Sequence, residues 1–298
     1  MMEIFQPVAD IPALFIACTV LLGLLVGSFL NVVIYRLPVM MDNELRAECA
    51  ALSNPDAPPP PTYNLVTPRS ACPHCKAPIT ALQNIPVVSW LALGRRCANC
   101  KTPISARYPL VELFTGVASG LIAWRFGFGT LALAALFFTW SLVALTMIDF
   151  DTQLLPDSLT YPLLWVGLLL STTNPVWAPG AAPVTPADSI VGAMCGYLSL
   201  WSVYWIFKLL TKKEGMGYGD FKLFAAFGAW FGWRMLLPII LFASLVGSVV
   251  GVYLLYRQRK GLETAIAFGP FLAAAGWLVM LIGHQTVDRY LALYASPR

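Results

Sequence analysis

Six acids lie in or beside apolar stretches of this chain: Glu112, Asp149, Asp151, Asp157, Asp188 and Asp220. A carboxylate in such a place is expensive unless it is paired or used. Asp220 falls within the run Glu214-Gly215-Met216-Gly217-Tyr218-Gly219-Asp220-Phe221-Lys222, where the chain re-enters an apolar segment. Three glycines at alternate positions permit unusual backbone angles and close approach of another backbone or a substrate. Asp149 ends an earlier apolar segment. Two carboxyls held close cannot both ionise cheaply, so they keep one proton between them. The ionised member takes a proton from water, and the protonated member polarises a peptide carbonyl. That is aspartic hydrolysis, and it needs neither a metal nor a covalent intermediate. Such a pair titrates as a unit.

Asp151 and Asp157 compete with Asp149 for this role. Asp157 follows Pro156 and precedes Ser158, so it also reads as a helix cap or first-turn acid. Asp151 also reads as a solvated loop acid, and Glu112 as a first-turn dipole partner. Lys222 reads as an inner-face anchor, or as a charge that biases which Asp holds the proton. Other chemistries fare worse. There are two histidines, His74 and His284, one beside the cysteines and one expected on the outer side, so a Ser/His/Asp triad is disfavoured. A His-Glu-x-x-His helix is absent from the sequence. Gly215-x-Gly217-x-Gly219 is flanked by apolar spans, unlike a dinucleotide fingerprint.

The second chemical cluster is Cys72-Pro73-His74-Cys75 and Cys97-Ala98-Asn99-Cys100. Two thiolate pairs on tight turns, with a short hairpin between them, close a tetrahedral zinc site. Four protein thiolates fill the coordination sphere, so the zinc is structural and supplies much of the folding energy of a small unit. His74 is an alternative ligand to one Cys, but its place inside the first pair favours a bystander. Cys18, Cys49 and Cys195 are left over. The basic residues around the cysteines are few, and Trp90 and Leu91 suit membrane or protein packing. No nucleic-acid partner is expected.

The elements that position these groups are membrane helices. The 298 residues are 58% hydrophobic and 11% charged, against about 25% charged in soluble domains. A span needs roughly 17–25 apolar residues. Candidates are 11–35, 109–125, 130–148, 159–176, 188–208, 221–233, 236–256 and 264–283. The expected fold is therefore an all-α polytopic membrane protein of about eight spans. The run 11–35 has no positive region before it and reads as a first span, not a secretory leader. With its N-terminus outside, eight spans place 15 of the 19 basic residues inside, as the positive-inside rule asks. Merging the sixth and seventh would export Arg257, Arg259 and Lys260. Asp149 and Asp220 then share the inner face. The domains are a first helix (1–35), an inner domain with a Pro-rich insertion and the four cysteines (36–108), and a seven-helix peptidase domain (109–298). Asp42 to Thr62, with Pro58 to Pro61 in a row, reads as an extended spacer. No fixed-period repeat is read from the sequence.

Several stretches together resemble the bifunctional type IV prepilin peptidases. They are Gly27-Ser28-Phe29-Leu30-Asn31-Val32-Val33-Ile34-Tyr35-Arg36-Leu37-Pro38, the two Cys pairs with Ile85-Pro86-Val87-Val88-Ser89-Trp90 between them, and Arg107-Tyr108-Pro109-Leu110-Val111-Glu112. Ile148-Asp149, Leu155-Pro156-Asp157, Gly217-x-Gly219-Asp220-x-Lys222 and Phe268-Gly269-Pro270 follow. The resemblance implies a bacterial inner-membrane enzyme with a periplasmic N-terminus. It implies cleavage of prepilin and pseudopilin leaders after a glycine on the cytoplasmic face. It further implies methylation of the new N-terminal residue, commonly Phe, from S-adenosylmethionine. By position, the catalytic acids are Asp149 and Asp220. The peptidase half is also similar to intramembrane aspartic proteases with a Gly-x-Gly-Asp motif. A prepilin has a short basic leader and a long apolar helix; with the helix in the bilayer, the scissile bond falls level with the two acids. Asp42, Glu44 and Glu48 are candidates to attract the leader. No cofactor motif is present; Asn31, Arg36 and Glu112, on the inner side, are the candidates to frame S-adenosylmethionine, or else structural anchors. Two rival readings are a peptidase without methyl transfer and a non-enzymatic zinc-ribbon scaffold or sensor. The second leaves the acid pair without a task.

Overall fold

The computed structural model describes residues 10–53, 62–177, 182–213, 215–258 and 267–283. Among them there are helices, turns and two isolated β-bridges, and no strand. The chain divides into two compact units, residues 1–144 and 145–298.

The first unit holds α1 (Pro12–Ser53), a short α2 (Val88–Ala92), α3 (Arg107–Phe126) and the first part of α4 (Thr130–Thr152). α1 and α3 pack along each other. Glycines four apart on both helices let the backbones close in, a membrane-helix device. A Cβ on Gly27 would stand 2.7 Å from the Glu112 Cα, and one on Gly116 2.9 Å from the Leu24 side chain. The hydroxyls buried at this seam are satisfied within it. Thr115 donates to the Val111 carbonyl and Ser119 to that of Thr115, and Trp140 Nε1 of α4 donates to the Ser119 hydroxyl at 2.9 Å.

α1 is longer than expected. The spacer predicted over 42–62 is helical as far as Ser53. Asp42 and Arg46, one turn apart, pair at 2.9 Å, and the stretch around them is rich in Glu, Leu and Ala, good helix formers. Pro58 to Pro61 lie outside the described residues.

The second unit holds the end of α4, then α5 (Asp157–Ser171), α6 (Pro186–Thr211), α7 (Tyr218–Phe231), α8 (Leu236–Gln258) and α9 (Gly269–Leu278). α7 is its axis: α5, α6, α8 and α9 all pack on it. Every residue from 223 to 231 is buried. That explains a sequence apolar on all sides. At 14 residues α7 is about 21 Å long, short of a bilayer core. Gly192 and Gly228 face each other so closely that neither tolerates a side chain. The last carbonyls of a helix lack intrahelical partners, and here they are buried. Ser189 donates to the Ala229 carbonyl at 2.6 Å and Trp177 Nε1 to that of Trp230 at 2.9 Å. Trp230 Nε1 donates in turn to the Leu163 carbonyl on α5, 2.7 Å away.

Four helices among the described residues are long and apolar enough to cross a membrane: α1, α4, α6, and α8 with its preceding turn, over Trp233–Tyr253. α9 and its continuation, Gly269–Ile282, form a shorter apolar helix.

Candidate active site

Asp220 is the third residue of α7, after the N-cap Gly217. The backbone N–H of Gly217 is directed back to its carboxylate, the reciprocal half of a capping box. Asp149 stands one turn before the end of α4. Gln153 stops that helix at φ +55°, its N–H bonded to the Asp149 carbonyl at 2.9 Å. The Asp149 carboxylate meets the N-terminus of α9, where the Gly269 N–H is directed at it. Each acid therefore rests on a helix N-terminus, where first-turn N–H groups and the dipole receive negative charge.

The two carboxyls come from distant segments and interact electrostatically. Asp149 is 4% exposed and Asp220 7%. Asp149 Oδ2 and Asp220 Oδ1 are buried with no hydrogen-bond partner among the described residues. Buried polar atoms are seldom left so.

Three sequence motifs converge here on Leu155. A Cβ on Gly219 would stand 2.6 Å from Leu155 Cβ, and one on Gly269 3.2 Å from Leu155 Cδ1 and 2.6 Å from Asp149 Oδ2. Phe268-Gly269-Pro270 carried no role in the sequence reading. The structure puts its glycine against the first acid. Nothing local in the sequence marks that, because the contact spans 120 residues.

The competing acids are elsewhere engaged or exposed. Asp157 opens α5, as a first-turn acid should, and pairs with Lys222 Nζ at 2.6 Å. Lys222 also lies over the Tyr161 ring, 5.1 Å from its centroid, so its charge is committed across α5 and α7. Asp188 accepts from Thr185, the N-cap of α6, at 2.7 Å. Asp151 is exposed in the last turn of α4, not in a loop.

The four cysteines meet as expected. Cys72, Cys75, Cys97 and Cys100 place their Sγ atoms within 4.8 Å of one another, with Cys72 and Cys100 at 3.8 Å. Thiolates about 2.3 Å from a tetrahedral zinc lie about 3.8 Å apart, so the set fits that ion. The Thr102 hydroxyl beside Cys100 holds its thiol down at about 6, toward the thiolate that a metal needs. Around the pairs there is a repeat that the sequence reading missed. Cys72-Pro-His-Cys-Lys-Ala-Pro-Ile79 and Cys97-Ala-Asn-Cys-Lys-Thr-Pro-Ile104 share Cys-x-x-Cys-Lys-x-Pro-Ile. Both fold as the same knuckle: Cys72 N–H bonds to Ala77 O and Cys97 N–H to Thr102 O, each at 2.9 Å. Lys76 and Lys101 turn through φ +58° and +60°. β-Bridges Ala71–Pro78 and Arg96–Pro103 close the two loops. The predicted hairpin between the pairs is instead a 3-10 turn (Leu82–Asn84) and α2. His74 and Asn99 occupy equivalent places in the repeat, and Asn99 donates to Cys75 Sγ at 3.5 Å.

The three residues expected around S-adenosylmethionine each have a protein partner. Asn31 Nδ2 donates to Tyr108 O at 3.1 Å. Arg36 is buried, donates to Asn64 O at 2.9 Å and lies over Tyr63. Glu112 is in the second turn of α3, not the first. It is buried and accepts from the Val87 N–H at 2.8 Å. Val87 has φ +61°, a strained angle for a β-branched residue. The Asn31 bond joins α1 to the start of α3, and the other two tie the loops beside the cysteines to α1 and α3. Their geometry does not by itself mark a site for a nucleoside or a sulfonium.

The profile of the bacterial peptidase A24 N-terminal domain matches residues 21–126, and that of the type IV leader peptidase family matches 136–252. A prepilin leader peptidase/N-methyltransferase of Pseudomonas aeruginosa is 52% identical over 291 residues, 97% of this chain and 98% of its own. The proteins of that name from Aeromonas hydrophila (52%, 94% of this chain and 95% of its own) and Stutzerimonas stutzeri (51%, 95% and 96%) are as similar. This chain belongs to the prepilin leader peptidase/N-methyltransferase family. Membership makes it an enzyme. The family's N-terminal profile covers both knuckles, and the leader peptidase profile covers both acids. No solved structure matches.

Proposed function

We propose that this prepilin peptidase cuts the leader of type IV prepilins and pseudopilins after a glycine at the cytoplasmic face of the inner membrane. It then methylates the new N-terminal residue from S-adenosylmethionine. The observation that carries the first half is the buried, electrostatically linked pair Asp149 and Asp220, each with one unpartnered oxygen. One carboxyl is ionised and accepts a proton from the attacking water. The other is protonated and donates to the carbonyl oxygen of the scissile bond. The tetrahedral intermediate then collapses, the C–N bond breaks, and the leaving amine takes up a proton.

The frame for this chemistry is eight spans with a periplasmic N-terminus, which keeps most basic residues inside. The three-part division at residues 35 and 108 goes with it, the inner domain lying between the first two spans. A structural zinc on Cys72, Cys75, Cys97 and Cys100 holds that domain together. Methyl transfer is read from the names of the relatives. The assignment of Asn31, Arg36 and Glu112 to the cofactor rests on position alone, and no chemical step is derived for them. A Glu112→Gln variant that methylates normally would remove it.

The test is to incubate purified protein with a prepilin, with and without S-adenosylmethionine, and weigh the product. The expected product lacks the leader and gains one methyl group only when the methyl donor is present. Asp149→Asn and Asp220→Asn should each abolish cleavage while the fold persists. Retained cleavage in either would overturn the acid pair; cleavage without added mass would leave a peptidase alone.

A further inference from the structure

Beside the acid pair lies a second pair of charged residues, Asp157 and Lys222. Asp157 lies eight residues after Asp149, and Lys222 two after Asp220. Their ion pair at 2.6 Å therefore joins the two chain segments that carry the acids. The segment between Asp149 and Asp157 is the end of α4 and a short connection to α5. It leaves α4 through Gln153 at φ +55° and runs without regular structure over 154–156. On the way it presents Leu155 to Gly219 and Gly269. At its far end Asp157 starts α5 after Pro156. On the other side, Lys222 is in the first turn and a half of α7, the helix that carries Asp220 in its first turn. The Tyr161 ring, one turn further along α5, covers the ammonium.

We propose that Asp157 and Lys222 are positioning residues for cleavage: their ion pair fastens the Leu154–Pro156 connection against the start of α7 and so fixes the separation of Asp149 and Asp220. This rests on the reading that those two acids are catalytic. The stability argument alone does not explain the pair. The Asp157 side chain is 50% exposed and that of Lys222 22%, and pairs so open to solvent contribute little to stability. Placement is a different matter, since a displacement near 1 Å at reacting groups costs about 100-fold in rate.

The experiment uses the full-length protein in detergent micelles with a purified prepilin. Lys222→Met, Asp157→Asn and the double variant are compared by kcat, KM and melting temperature. Methylation of an already cleaved pilin serves as a folding control. Each single variant should lower kcat about 10-fold, leave KM within about twofold and leave melting and methylation unchanged, because only the spacing of the acids relaxes. The double variant should be no slower than the worse single one, since the second change has no pair left to break. Lys222→Arg, which keeps the ion pair, should restore at least half of kcat. Losses that multiply in the double variant, an unchanged kcat, or a fall confined to KM would overturn the proposal. So would Asp157→Asn inactivity far deeper than that of Lys222→Met, which would make Asp157 a reacting group. Asp220→Asn, run alongside, separates the two readings: if it still cleaves, the acid pair itself is wrong, whatever Lys222 does.

Discussion

Gly269→Ala is the sharpest test of how Asp149 is seated. Gly269 has no positive φ, so alanine suits its backbone, and the residue opens α9, where alanine is a good helix former. The change adds one methyl carbon, 2.6 Å from Asp149 Oδ2 where ordinary contact begins at 3.4 Å. The shortfall is 0.8 Å. Leu155 Cδ1, at 3.2 Å, blocks another side of the new carbon, so the acid must move by most of that shortfall. A shift of this size at a reacting group lowers the rate about 30- to 100-fold, equivalent to about 2–3 kcal/mol of barrier. The loss should fall on kcat, measured by gel or mass quantification of cleaved prepilin under saturating substrate. Melting temperature should change by no more than a few degrees, and methylation of a cleaved pilin should persist. Gly247→Ala is the matched control, because the nearest atoms to its Cβ belong to the Phe271 side chain, at 3.3 Å; cleavage should stay near wild type. A Gly269→Ala enzyme with kcat within twofold of wild type would refute the placement of Asp149 Oδ2 at the reacting centre.

Other outcomes follow from the same geometry. Gly219→Ala should also slow cleavage, by about 10-fold or more, because its Cβ would stand 2.6 Å from Leu155 Cβ; the kcat assay used for Gly269 checks it. Trp230→Phe puts a smaller ring in place of the buried indole and strips the Leu163 carbonyl of its 2.7 Å donor, and should lower stability by about 1–3 kcal/mol, read as a drop in melting temperature with cleavage retained in the cold. Gly228→Ala drives a methyl group into the Gly192 backbone and should destabilise by about 3 kcal/mol or more, seen as loss of folded protein on size-exclusion chromatography. The purified chain should carry one zinc by elemental mass spectrometry. Cys97→Ala should release it and open residues 62–106 to protease, because the knuckles have little core of their own.

Much of the site was legible because its signals are local. The acid at the end of one apolar run, the glycines before another, and the spacing of two Cys-x-x-Cys pairs are fixed by covalent order, so the residues themselves pointed to Asp220, the four thiols and one of Asp149, Asp151 and Asp157, and the family resemblance singled out Asp149 as the candidate. The all-helical membrane class was equally legible, since few charges over long apolar runs leave the backbone no other way to satisfy its hydrogen bonds. The continuation of α1 to Ser53 was hidden behind a polar composition that suits a solvated helix as well as a spacer. The second copy of the knuckle was also present in the sequence, at an offset of 25 residues, but a motif of eight residues that occurs twice sets up no running period.

Tertiary structure decided the rest. It set Gly269 against Asp149, used Leu155 as the common wall for two glycines, and joined Asp157 to Lys222 across 65 residues. It also turned Asn31, Arg36 and Glu112 toward backbone partners. None of these contacts leaves a trace in spacing or periodicity, because each depends on how helices rotate about their axes when close glycine seams and buried carbonyls are satisfied together. Sequence order set the candidate groups; helix packing set which of them meet.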